Sequence, residues 1–134
     1  MTKKRGFCEL LFIADDTILL NNLLHHMFLD NGISVIFVPT WDEGIKYIEK
    51  DEFKLIIIDS ILLSKLDTSS VLSSITKTKT YIFFINVMPN TWVYKIRDKI
   101  KNTSIHIYKS PLIVDDFLKI VHKILKDKSL DYLI

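Results

Sequence analysis

What most constrains this chain is an alternation repeated five times: a short, almost continuous apolar run, then a stretch with apolar residues at helical spacing. The runs are Glu9–Ala14, Ile33–Val38, Leu55–Ile58, Tyr81–Ile85 and Ile105–Tyr108. Each has the length of a strand and is rich in Ile, Val or Phe. None alternates polar with apolar cleanly, which is the pattern of parallel strands buried on both faces. Between them, Leu20, Leu23, Leu24, Met27 and Phe28 share a helix face, and Asn31-Gly32 supplies a stop. Thr40 and Glu43 have the spacing of a capping box ahead of Ile45 and Ile48. Val71, Leu72 and Ile75 mark a third helix, and Trp92, Val93, Ile96 and Ile100 a fourth. Val114, Phe117, Leu118, Val121, Ile124 and Leu125 mark the fifth, entered through Pro111.

Strict strand–helix alternation implies right-handed crossovers and helices on both faces of one parallel sheet. The expectation is an α/β fold: a doubly wound five-stranded parallel sheet, flavodoxin-like, in the order 2-1-3-4-5. Its 134 residues suit one domain. We expect a basic N-terminal tail over 1–7, the domain over 8–127, and over 128–134 an extension of the last helix or the start of a linker. The single Cys8 excludes an intramolecular disulfide and any CxxC site, which makes a reducing cytoplasm the expected location. Asp15 and Asp16 cut short the apolar stretch behind the basic start, so neither a signal peptide nor a membrane span is expected. A net charge of +2 neither calls for nor excludes a nucleic-acid partner.

Ligands of such sheets bind at the carboxyl ends of the strands near the switch point, here between strands one and three. Strand one ends in Asp15-Asp16, strand three in Asp59, strand four in Asn86 and strand five in Lys109. Three carboxylates in one crevice repel one another unless a cation or protons intervene. A donor set of oxygens alone suits Mg²⁺. Lys109 is a point cation that can pair with a bound phosphate or with Asp59. The plainer readings are an N-cap pair for Asp15-Asp16, a polar strand terminus for Asp59 and a surface lysine for Lys109. Capping needs only one of the two aspartates. His25 and His26 point about 100° apart on a helix and cannot chelate together. Asp115-Asp116 suits the first turn of the last helix, and Lys95, Arg97, Lys99 and Lys101 read as a solvated face. Trp41 and Trp92 fit either a core edge or an exposed anchor.

Three blocks carry a family resemblance: Phe12-Ile13-Ala14-Asp15-Asp16, Leu55-Ile56-Ile57-Ile58-Asp59 and Ile107-Tyr108-Lys109-Ser110-Pro111. Together, in this order and at these gaps, they resemble a response-regulator receiver domain over roughly Cys8 to Asp127. The resemblance implies that Asp59 is a phosphoacceptor for a phosphohistidine. It implies that Asp15, Asp16, Asp59 and the backbone carbonyl of Ile61 hold Mg²⁺, and that Lys109 contacts the phosphoryl oxygens. Several positions depart from the family pattern. Asn86 stands where Ser or Thr is usual, and His106 where the aromatic switch residue is usual. Leu63 and Asp67 replace a Pro and a Gly, Ser110 displaces the Pro by one, and Asn102-Thr103 replaces Gly-Ala. An amide at Asn86 can still donate to a phosphoryl oxygen.

The resemblance therefore implies a two-component receiver, Mg²⁺-dependent and acting through phosphorylation-biased protein binding. It would be a phosphoacceptor and no enzyme beyond self-catalysed phosphorylation and dephosphorylation. Its partners would be a sensor histidine kinase or phosphotransfer protein and a downstream protein target. No membrane partner is expected, nor nucleic acid without an output domain, and a homodimer stays open. The alternative is an atypical receiver that binds proteins without phosphorylation, which the departures favour. A third reading, a flavodoxin-fold enzyme or nucleotide binder, lacks a Gly-rich phosphate loop, since Asp15-Asp16-Thr17 follows strand one.

Overall fold

The computed structural model describes residues 9–50, 53–64, 66–75, 80–88, 93–94 and 105–126. Five strands, β1 (Leu10–Ile13), β2 (Val35–Val38), β3 (Leu55–Asp59), β4 (Tyr81–Val87) and β5 (Ile105–Lys109), form one parallel sheet in the order 2-1-3-4-5. Among the described residues, four bounded helices accompany them: α1 (Leu19–Asp30), α2 (Trp41–Lys50), α3 (Thr68–Ile75) and α4 (Val114–Lys126). A short 3₁₀ turn, Ser60–Leu63, follows β3 directly. The fold class and strand order are those the alternation dictates.

Side chains along β1, β3 and β4 alternate between two cores. Leu10, Phe12, Leu55, Ile57, Phe83 and Ile85 pack against Leu24 and Phe28 of α1 and Phe117, Val121 and Leu125 of α4. Leu11, Ile13, Ile56, Ile58, Ile82 and Phe84 pack against Trp41 and Ile48 of α2 and Val71 and Ile75 of α3. Both faces are covered, so every residue of β1 and of β3 is buried. Each fully buried Phe or Leu is worth roughly 1.5–3 kcal/mol. Trp41 is part of this core, which settles the choice left open for it.

Local signals set the helix limits. The capping half of the box is formed, the Glu43 N–H donating to Thr40 Oγ1, while the Glu43 carboxylate accepts the Thr40 hydroxyl rather than the Thr40 N–H, both at 3.2 Å. At the end of α1, Asn31 is the C-cap, and Gly32 takes φ +74°, which glycine adopts without a Cβ clash. Leu63, the last residue of the 3₁₀ turn, is fully buried, and Asp67 Oδ1 accepts the Ser69 N–H at the start of α3. Two departures from the family pattern thus do structural work. The fourth helix pattern lies outside the described residues apart from Val93 and Tyr94, which are helical. Trp92, the basic run Lys95 to Lys101 and Asn102-Thr103 lie outside them too, as do Cys8 and both terminal segments.

Candidate functional site at the carboxyl ends of the strands

Register fixes what meets at the crevice. Ile13 at the end of β1 lies beside Ile58 of β3, and Asp59 lies beside Ile85 of β4. Ile13, Ile58 and Phe84 therefore lie level across β1, β3 and β4, with Asp15, Asp16, Asp59 and Asn86 one to three residues beyond that line. Asp59 is fully buried. Its Oδ1 accepts the Ile61 N–H at 3.1 Å, and its Oδ2 accepts Asn21 Nδ2 at 2.8 Å. Two N–H donors on opposite oxygens fix the plane of the carboxylate.

Asn21 is absent from every motif above, yet it is the side chain that touches Asp59. It is fully buried on α1, and Nδ2 also donates to the backbone oxygen of Asp15 at 2.9 Å. Its Oδ1 is buried with no hydrogen-bond partner among the described residues. A signal for it exists in the sequence. Asn21 sits three and seven residues before Leu24 and Phe28, on the buried stripe of the helix, where a polar side chain needs a polar partner.

The two aspartates after β1 behave differently from an N-cap pair. The α1 N-cap is Ile18, which makes no side-chain cap bond. Asp15 instead closes a local turn, its Oδ1 accepting the Thr17 N–H at 2.8 Å and the Thr17 hydroxyl at 2.7 Å. The hydroxyl first, then the amide, hold its carboxyl below the ordinary value of 3.8. Asp16 is exposed, and its backbone oxygen accepts Asn22 Nδ2. The carbonyl of Ile61 accepts the Ser64 hydroxyl at 3.0 Å. The donor set is therefore right in kind for a hard cation: carboxylates and a carbonyl, with a buried unpartnered amide oxygen beside them. In the arrangement described, however, no three His, Cys, Asp or Glu side chains among the described residues stand together to hold a metal.

Asn86 lies within β4 rather than at its end, because pairing with β5 resumes at Val87 opposite Lys109. The register shifts between Phe84 and Val87, and Asn86 there adopts φ +58°. Asn is among the few non-glycine residues that tolerate this conformation. Asn86 is buried, and Nδ2 has no partner among the described residues. Its carbonyl accepts the Ser60 hydroxyl at 3.1 Å, tying the end of β3 to β4. Lys109, last in β5, is exposed, and among the described residues no ion pair joins it to Asp59. His106 is exposed on β5 with its ring edge-on to Phe83 at 5.3 Å. Desolvation there lowers its pKa from 6.5.

No protein-family model matches the chain, and no curated protein matches it in sequence. Solved structures do match. One is the receiver domain of the sensor histidine kinase PA1611 from Pseudomonas aeruginosa PAO1, with a magnesium ion coordinated in its active-site cleft. It superposes with a TM-score of 0.68 at 15% identity, over 89% of this chain and 98% of that one. Another is the signal receiver domain of a protein described as a Luxo repressor from Vibrio parahaemolyticus. Its TM-score is 0.65 at 23% identity, over 95% of this chain and 96% of that one. At such identities the likeness is one of fold, and the fold is that of receiver domains.

Proposed function

We propose that this chain, with its receiver-domain fold, is a phosphoacceptor module of two-component signalling, with Asp59 as the acceptor. The observation that carries the reading is a fully buried carboxylate at the carboxyl end of a central parallel strand, aimed by two N–H donors and paired with no cation among the described residues. A carboxylate oxygen of Asp59 attacks the phosphorus of a partner's phosphohistidine in line. The new bond is O–P, the bond that breaks is N–P, and the electron pair returns to the imidazole, which takes up a proton. Asp15, Asp16, Asp59 and the Ile61 carbonyl would hold Mg²⁺. When bound, Mg²⁺ supplies neutralisation of the charge that the carboxylates and the phosphoryl group bring together. Lys109 and the Asn86 amide reach the phosphoryl oxygens as donors, and the cognate partners are a histidine kinase or phosphotransfer protein and a downstream protein.

A second reading is favoured by a specific observation. Asn86 combines a left-handed backbone with a buried amide that has no partner among the described residues, where receivers carry a hydroxyl, so a relay from Asp59 toward β5 has different parts here. In that reading the chain binds its partner whatever the state of Asp59. Beryllofluoride with Mg²⁺, a mimic of the phosphoryl group, separates the two. We expect amide shift changes at Asp59, Asn86 and Lys109 in the native protein and none in Asp59→Asn. A folded native protein without such changes, whose partner binds Asp59→Asn equally well, would be an interaction module.

A further inference from the structure

The phosphoacceptor chemistry uses Asp59 but leaves unexplained the side chain bonded to it. Asn21 donates from one nitrogen to Asp59 Oδ2 at 2.8 Å and to the Asp15 carbonyl at 2.9 Å. One amide thus ties the end of β1 to the end of β3, across the crevice where a cation would bring the same two strands together. The far side of that amide is unsatisfied, since Oδ1 is buried and has no partner among the described residues. Buried polar atoms are seldom left so. Asn21 is therefore held in the crevice by its donor side alone, and releasing it costs no bond at the oxygen.

We propose that Asn21 is a positioning residue that stands in for the divalent cation: its N–H₂ holds Asp59 when the crevice is empty of metal and must be displaced when metal enters. The inference rests on the receiver reading of Asp59 and deepens it. The N–H₂ carries partial positive charge and occupies an Asp59 oxygen. A cation competes for that oxygen's lone pairs and repels the amide hydrogens. Asp15 faces a parallel exchange, because its carboxylate now serves Thr17. Asn21 therefore sets the affinity for divalent cations below what the same carboxylates would give without it.

The test is a Mg²⁺ titration of the native protein and Asn21→Ala, following backbone amide shifts at Asp15, Asp16 and Asp59 together with the melting temperature. Losing the competing charge-assisted hydrogen bond should tighten Mg²⁺ binding by about tenfold. Mg²⁺ should also raise the melting temperature of the variant more than that of the native protein. Unchanged affinity, with a melting temperature lowered equally with and without Mg²⁺, would mean that Asn21 is merely structural and overturns the proposal. Weaker binding overturns it too, because Asn21 would then be a ligand. Should Asn21→Ala fail to fold, the native side-chain N–H₂ signal of Asn21 decides. It should move in step with Asp59 as Mg²⁺ is added, and a stationary signal beside a shifting Asp59 contradicts displacement. If Mg²⁺ perturbs none of the three aspartates in either protein, the metal-dependent reading of the site falls and this inference with it. A response in both proteins at equal affinity overturns this inference alone.

Discussion

Thr17 decides where the Asp15 carboxylate points, because both of its donors lie on one oxygen. Thr17→Val removes the hydroxyl, the larger cause of the lowered pKa, and keeps the amide. The carboxyl of Asp15 should then titrate closer to 3.8, read from its ¹³C shift against pH. A depressed carboxyl favours the fold above its unfolded pKa, and that contribution is lost as pH falls through the folded value. The two lowered histidines act in the same direction for a different reason. His25 is depressed by burial and then by the charge of His26, and His106 by partial desolvation. Protonation disfavours the folded state at both, so their contribution is complete above 6.5 and is lost as pH falls from there toward the folded values. The melting temperature should therefore fall as pH drops below 6.5, and His106→Phe should flatten that dependence. Asp59, Asp15, Asp16 and Lys109 were legible because each ends an apolar run. Asn21 was not, because a lone polar residue inside a helical stripe reads as ordinary helix until its partner, 38 residues away, is known.

Elements were read more easily than what joins them. All five strands follow from their continuous apolar runs, because burial on both faces leaves no room for polar alternation. The end of β4 differs from the expected one, since the strand runs on through Asn86 to Val87. Periodicity cannot show that a residue at φ +58° will interrupt the ladder and let it resume. That backbone makes substitution at Asn86 directional. Asn86→Thr, which would place a hydroxyl there, puts a β-branched residue at positive φ and should lower stability by about 1–3 kcal/mol in denaturant unfolding. Asn86→Gly should cost far less. The α2–β1 contact is tested at Gly44, where an added Cβ would lie 2.5 Å from Ile13 Cδ1 and 2.8 Å from Cγ1. Gly44→Ala should destabilise by about 1–3 kcal/mol, and Ile13→Val, which removes the nearest atom, should recover part of that loss.

At the scale of the whole molecule, the two faces of the sheet have separate duties. The face covered by α1 and α4 carries the side chain that holds Asp59, since Asn21 and the core residues Leu24 and Phe28 share one helix. The other face, under α2 and α3, is sealed by apolar packing up to Leu63, the last residue of the turn that follows Asp59. A change at Asp59 is therefore bonded directly to α1 through Asn21, to the 3₁₀ turn through Ile61, and through Ser60 to β4 at Asn86. Among the described residues no helix is long and apolar enough to cross a membrane. Phosphoryl uptake tests the function most directly. The native protein, incubated with a small-molecule phosphodonor and Mg²⁺, should gain the mass of one phosphoryl group, and Asp59→Asn should gain none. No gain by the folded native protein, or the same gain by Asp59→Asn, would contradict Asp59 as the phosphoacceptor.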